Sequence, residues 1–132
     1  MIIRIPLIEI EAGLIIGIDY KDKPKTFPTI FRAHFGTTVE ICYLLVNEYR
    51  VLNAVPKSKP KHLLWGLLFL KQYSNETVLA SQCRTTRKTF RKWCWAMIEE
   101  LSNLEPSLVR LILMSIFFLI WLNKISNPYL LS

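Results

Sequence analysis

The sequence is poor in the residues from which reactive centres are built, and each shortage removes a class of function. Aspartate occurs only at Asp19 and Asp22, so nothing after residue 22 can supply the paired aspartates that hold two Mg²⁺ ions in phosphodiester chemistry. Glu99 and Glu100 are sequence neighbours that leave a helix in different directions and read as surface acids, not as an acid/base pair. Three cysteines, Cys42, Cys83 and Cys94, are an odd number without paired spacing. That excludes a disulfide framework or zinc knuckle and suits buried free thiols in a reducing compartment. His34 and His62 have no cysteine or carboxylate at ligand spacing, and the four glycines form no phosphate-binding loop. No catalytic residue, metal or cofactor is therefore expected. Glu9 and Glu11 interrupt the apolar start, so a secretory signal is not expected either, and the chain reads as intracellular.

What is abundant is apolar surface and local positive charge. The 132 residues suffice for one ordinary domain, and a composition of 52% hydrophobic and 20% charged residues argues against global disorder. The apolar excess sits at the ends, in residues 2–18 and 108–122. Between Lys57 and Trp95 stand nine Lys or Arg and a single acid, Glu76, whereas the rest of the chain is almost balanced. A basic patch concentrated on one stretch points to an anionic partner, with nucleic acid the first candidate.

Residues 1–20 alternate partly (Ile8 and Ile10 against Glu9 and Glu11), which predicts short strands around Gly13 and Gly17. With the proline-containing KDKPKTFP that follows, residues 1–26 read as an extended N-terminal arm and linker. Thr37 with Glu40 three positions on makes a capping box, predicting a helix from about Thr38 to Leu52. After NAVPKSKP a second helix starts beyond Pro60 and runs through LLWGLLFLKQY, apolar nearly all round and hence central; His62 caps it or faces solvent. Ser74 or Asn75 caps a short third helix, and Thr85 or Thr86 a fourth that runs to about Leu101. A short helix, a polar turn and a longer basic helix is the order of a helix-turn-helix. The expected fold is a small all-α bundle.

On a helical wheel, Arg87, Lys88, Arg91, Lys92, Trp95 and Glu99 occupy one arc of roughly 140°, with Phe90, Trp93, Cys94, Met97 and Leu101 opposite. Cations gather in the first half and acids come late, which opposes the helix dipole. Helix stability did not select that order, whereas phosphate binding would. The candidate DNA-contacting residues are Arg84, Arg87, Lys88, Arg91, Lys92 and Trp95. Arg87 and Arg91 are placed for base edges, and Lys57, Lys59 and Lys61 for phosphates.

The segments FRAHFGTTVEICYLL, KPKHLLWGLLFLKQYSNE and KTFRKWCWAMIEELSNLE resemble the N-terminal region of eukaryotic DDE-type transposases of the PIF/Harbinger or IS5-like kind. The likeness covers residues 27–105. It implies a helical module that binds double-stranded DNA in the nucleus, ahead of a catalytic domain with a metal-binding acidic triad. This chain instead continues with an apolar tail, residues 106–132, without an aspartate. The expectation is a truncated, catalytically inactive relative. The competing expectation is a small membrane-associated protein, its C-terminal apolar helix anchored and its basic surface against anionic lipid. Residues 111–122 are too short to span alone, reaching about 18 Å as a helix against roughly 30 Å of hydrocarbon.

Overall fold

Proline near the first turn and a left-handed residue after the last recur along this chain, and they punctuate its helices. The computed structural model describes residues 2–104. Six helices follow in order: α1 (Ile5–Ile16), α2 (Phe27–Phe35), α3 (Val39–Asn47), α4 (Pro60–Gln72), α5 (Glu76–Gln82) and α6 (Arg87–Ser102). Among the described residues there is no strand, so the all-α bundle is as expected. The apolar C-terminal helix expected within residues 106–132 lies outside them. No helix among the described residues is long and apolar enough to cross a membrane.

The extended arm is replaced by a helix built into the core. Pro6 sits in the first turn of α1, where a missing N–H costs nothing. Gly17 ends the helix at φ 76, a left-handed conformation, and donates its N–H to the Gly13 carbonyl at 2.8 Å. The buried residues are Ile8, Ala12, Gly13 and Ile15, at helical and not alternating spacing. Isoleucine lowers helix propensity by only a few tenths of a kcal/mol, whereas burying its side chain gains about 1.5–3 kcal/mol. Burial therefore decides. Asn47 of α3 fastens the start of the chain: its Oδ1 accepts from the Ile3 N–H at 2.7 Å, and its Nδ2 donates to the Ile3 carbonyl at 2.8 Å and the Tyr43 carbonyl at 3.1 Å.

The expected linker ends at Thr26, and residues 27–35, for which no helix is expected above, form α2. Phe27, Phe31 and Phe35 repeat every fourth position and are all buried, with successive ring centroids 6.2 and 4.7 Å apart. In α3 the cap falls one residue later than predicted. Thr38 Oγ1 accepts from the Ile41 N–H at 3.2 Å, while Thr37 is buried with its hydroxyl unpartnered, so the Thr37–Glu40 box does not form. The helix also stops at Asn47 and not at Leu52. The chain turns through Arg50, at φ 51, and brings Val51 into the core.

Helix α4 is central, as its all-round apolarity requires. His62 through Leu68 are buried without a break, and α1, α2, α5 and α6 all pack on it. Where α6 crosses, the contact is at Gly66: a Cβ there would lie 3.2 Å from Met97 Cβ and 3.6 Å from the Cys94 carbonyl oxygen. Cys94 Sγ in turn reaches the Trp65 carbonyl at 3.9 Å, and the Trp65 and Phe90 rings are 5.9 Å apart. Asn75 Oδ1 caps α5 through the Thr77 N–H at 2.8 Å, and Thr86 Oγ1 caps α6 through the Thr89 N–H at 3.2 Å. Four residues, 83–86, separate these two helices.

Two outcomes follow from this packing. Gly66→Val gains helix propensity but overfills the crossing, and should lower stability by about 2 kcal/mol or more in urea unfolding followed by circular dichroism. Asn47→Ala removes three hydrogen bonds; it should cost about 1–2 kcal/mol and speed amide exchange at the start of α1 more than in α4.

Candidate nucleic-acid interface

The two faces drawn on the α6 wheel are the two faces of the folded helix. Phe90, Cys94, Met97 and Leu101 are buried, Trp93 is half-buried, and Arg87, Lys88, Arg91, Lys92, Trp95 and Glu99 are exposed. No acid occupies the first turn of α6. Each cation there gives up roughly 0.3–1 kcal/mol of dipole stabilisation that an acid would supply. One of the cations is tethered: Arg87 Nε lies 3.5 Å from Glu76 Oε2 on α5. Exposed pairs of this kind contribute about 0–1 kcal/mol. The contact takes one of the five guanidinium donors and leaves the others free for an oxygen-rich ligand.

Three lysines converge on His62. The imidazole lies parallel to the Trp93 indole, 4.0 Å between centroids and 4° between planes, and edge-on to Trp65 at 4.8 Å. Its Nδ1 accepts from the Lys59 N–H at 2.9 Å, which fixes the neutral tautomer protonated on Nε2. The capping role is as expected, but His62 is only 5% exposed and does not face solvent. Lys61 Nζ sits 5.7 Å from the Trp65 ring centre and Lys92 Nζ 4.9 Å from that of Trp93. Burial, then the positive charges of Lys61, Lys59 and Lys92, push the His62 pKa down to about 4. Lys59 and Lys61, at the start of α4, are thus joined to Lys92 on α6 through a stack of aromatic rings. Sequence spacing does not reveal that junction; the clue it offers is an aromatic-rich pair of helices with a histidine at the third position of one.

The remaining candidates are distributed differently. Arg84 adopts φ 58 in the α5–α6 connection and lines a cavity of about 190 Å³ with Lys61, Trp65 and Glu11 of α1. It therefore shares a pocket with α1, whose lining includes none of Arg87, Lys88, Arg91 and Lys92. Lys57 is exposed on the turn before α4, at φ 64, and is not among the charges acting on His62. Trp95 is 47% exposed and rests against Phe69, centroids 5.6 Å apart. Phe69 also meets Tyr73 at 5.7 Å. Tyr73 is 74% exposed and ends α4 at φ 50, a conformation that costs a non-glycine residue about 1 kcal/mol or more.

The three thiols are free; Cys42 and Cys94 are buried and Cys83 half-buried, and burial pushes each up to about 12. None is poised as a nucleophile at neutral pH. Among the described residues no group of three or more His, Cys, Asp or Glu side chains is placed to hold a metal ion. No protein-family model, curated protein or solved structure matches the chain.

The His62 geometry sets a pH dependence. The unfolded chain protonates this residue near pH 6.5 and the folded one near pH 4. In between, the unfolded state holds more protons, so the contribution is complete above about pH 6.5 and shrinks as pH falls toward 4. At about 1.4 kcal/mol per unit the loss approaches 3 kcal/mol. Glu9, raised by burial and then by Glu40, acts in the opposite sense. It is common to wild type and His62→Gln, whose amide can still accept from the Lys59 N–H. Chemical denaturation between pH 7 and 4 should therefore show the wild type losing more stability than the variant.

Proposed function

We propose that this chain is a DNA-binding module in which α5, the turn and α6 act as a helix-turn-helix, with Arg87, Lys88, Arg91 and Lys92 on a duplex. The observation that carries the reading is the one-sidedness of α6. Four cations stand together on its solvent face, in its first half, where neither packing nor the helix dipole accounts for them. A helix of about 10–12 Å diameter fits a major groove of similar width. Arg87 and Arg91, one turn apart, then address base edges. Lys59, Lys61 and Lys92, gathered around His62, take phosphates and fix orientation. Lys57 and Arg84 lie outside that group and add to the general field.

The segments that resemble DDE-type transposases include α3, α4 and α6, which supports reading the chain as the DNA-recognising part of such a protein, acting in the nucleus. Within residues 23–132 there is no aspartate, so this module supplies no metal-holding aspartates of its own.

Measured with the full chain, duplex DNA should bind at 50 mM salt, with log K falling linearly as log salt rises. Arg87→Gln with Arg91→Gln should weaken binding about 10- to 100-fold at unchanged helicity, whereas Phe90→Ala with Met97→Ala should abolish helicity as well. Absence of binding, or binding indifferent to salt, overturns the proposal. Retention on anionic liposomes in place of DNA would instead assign the basic surface to lipid.

A further inference from the structure

Resting on that reading of α6, we infer that the exposed rings of Tyr73 and Trp95, bridged by Phe69, form a stacking site for an unpaired nucleobase beside the duplex contact. Three observations converge. Trp95 follows Arg91 and Lys92 at four and three positions, so its ring continues the cationic face by one turn, about 5–6 Å further along the helix. Phe69 holds both outer rings, at 5.7 Å from Tyr73 and 5.6 Å from Trp95, and the two outer rings are 74% and 47% exposed. Tyr73 occupies a left-handed position at φ 50, where glycine would relieve the backbone, and gains little burial in return. Neither helix termination nor the core selects a tyrosine there.

The occupant follows from the chemistry. Aromatic faces adjoining Arg and Lys match the alternation of flat bases and phosphates along a single strand. The aliphatic side chains of a protein partner have no use for neighbouring cations, and an anionic lipid surface, which would use them, is the occupant that retention on liposomes in place of DNA would assign. Base stacking is tolerant of sequence, so the site responds to a strand being unpaired and not to which base it carries. The favoured ligand is therefore a duplex with a single-stranded extension, the duplex on α6 and the first unpaired base on the Tyr73–Trp95 side.

The test compares three fluorescent probes on the full chain: a blunt duplex, the same duplex with a five-thymine overhang, and one whose overhang is abasic and so keeps phosphates without bases. The thymine overhang should tighten binding about tenfold or more over blunt, and the abasic one far less. Tyr73→Gly, which removes the ring while suiting the left-handed backbone, should keep or raise thermal stability and lose the overhang gain; Trp95→Ala should lose it too. Blunt binding should be unchanged in the Tyr73 variant. Equal gains from both overhangs, or a full gain in Tyr73→Gly, would sink the stacking site while leaving the duplex reading intact. If no probe binds, both fall together.

Discussion

The crossing of α4 and α6 at Gly66 governs most of what this molecule presents to solvent. Because residue 66 has no side chain, Met97 and the Cys94 backbone approach α4 directly, and Cys94 and Phe90 come to rest on Trp65. Such close contact leaves α6 little freedom to rotate about its axis. A turn of one residue, about 100°, would carry Phe90 or Met97 out of the core. The direction in which the cations face is thus a property of the core, not of the cations.

Charge and packing are coupled a second time at His62. A histidine in this place serves as a flat, neutral spacer: one face meets Trp93, an edge meets Trp65, and a ring nitrogen closes the first turn of α4. Three ammonium groups around it repel one another, and two of them, Lys61 over Trp65 and Lys92 over Trp93, sit on aromatic surfaces that partly offset the repulsion. The positive potential is strong there because the scaffold beneath it remains uncharged. Glu76, the lone acid of the basic stretch, lies against Arg87 at one end of the row.

Legibility in the sequence depended on how local each determinant is. The starts of α5 and α6 are set by Asn75 and Thr86, which cap their own first turns and could be read to within one residue (Ser74 or Asn75, Thr85 or Thr86), and α4 by a run of apolar residues too dense for any surface helix, which could be read directly. Helices α1 and α2 could not. Four residues of Ile/Glu alternation fit a strand as well as a helix, and only the pocket formed by α2, α3 and α4 selects the Ile8–Ala12–Ile15 face. The Phe27, Phe31, Phe35 repeat was a helical signal obscured by the prolines around it. For the site, the two faces of α6 follow from periodicity alone. The pocket that Arg84 shares with α1 depends on a single positive φ, and the meeting of Lys61 with Lys92 depends on where two helices cross. Neither is written in any local pattern.

The burial of α1 has a consequence for synthesis. Its inner face packs on α2, α3 and α4, and Asn47 reaches back across 44 residues to fasten Ile3. A ribosome releases the chain from its N-terminus, so α1 emerges before any of those partners, and α4 is complete only about 56 residues later. At roughly 5–20 residues per second that is a delay of about 3–11 s. Until it ends Ile8, Ala12 and Ile15 lack their full cover, beside Leu7, Ile10 and Leu14, which stay exposed even in the folded molecule. Of the six helices, the earliest made is the one whose inner face waits on three later ones, and the interval before α4 arrives is when this chain is most open to capture by a chaperone or by another copy of itself.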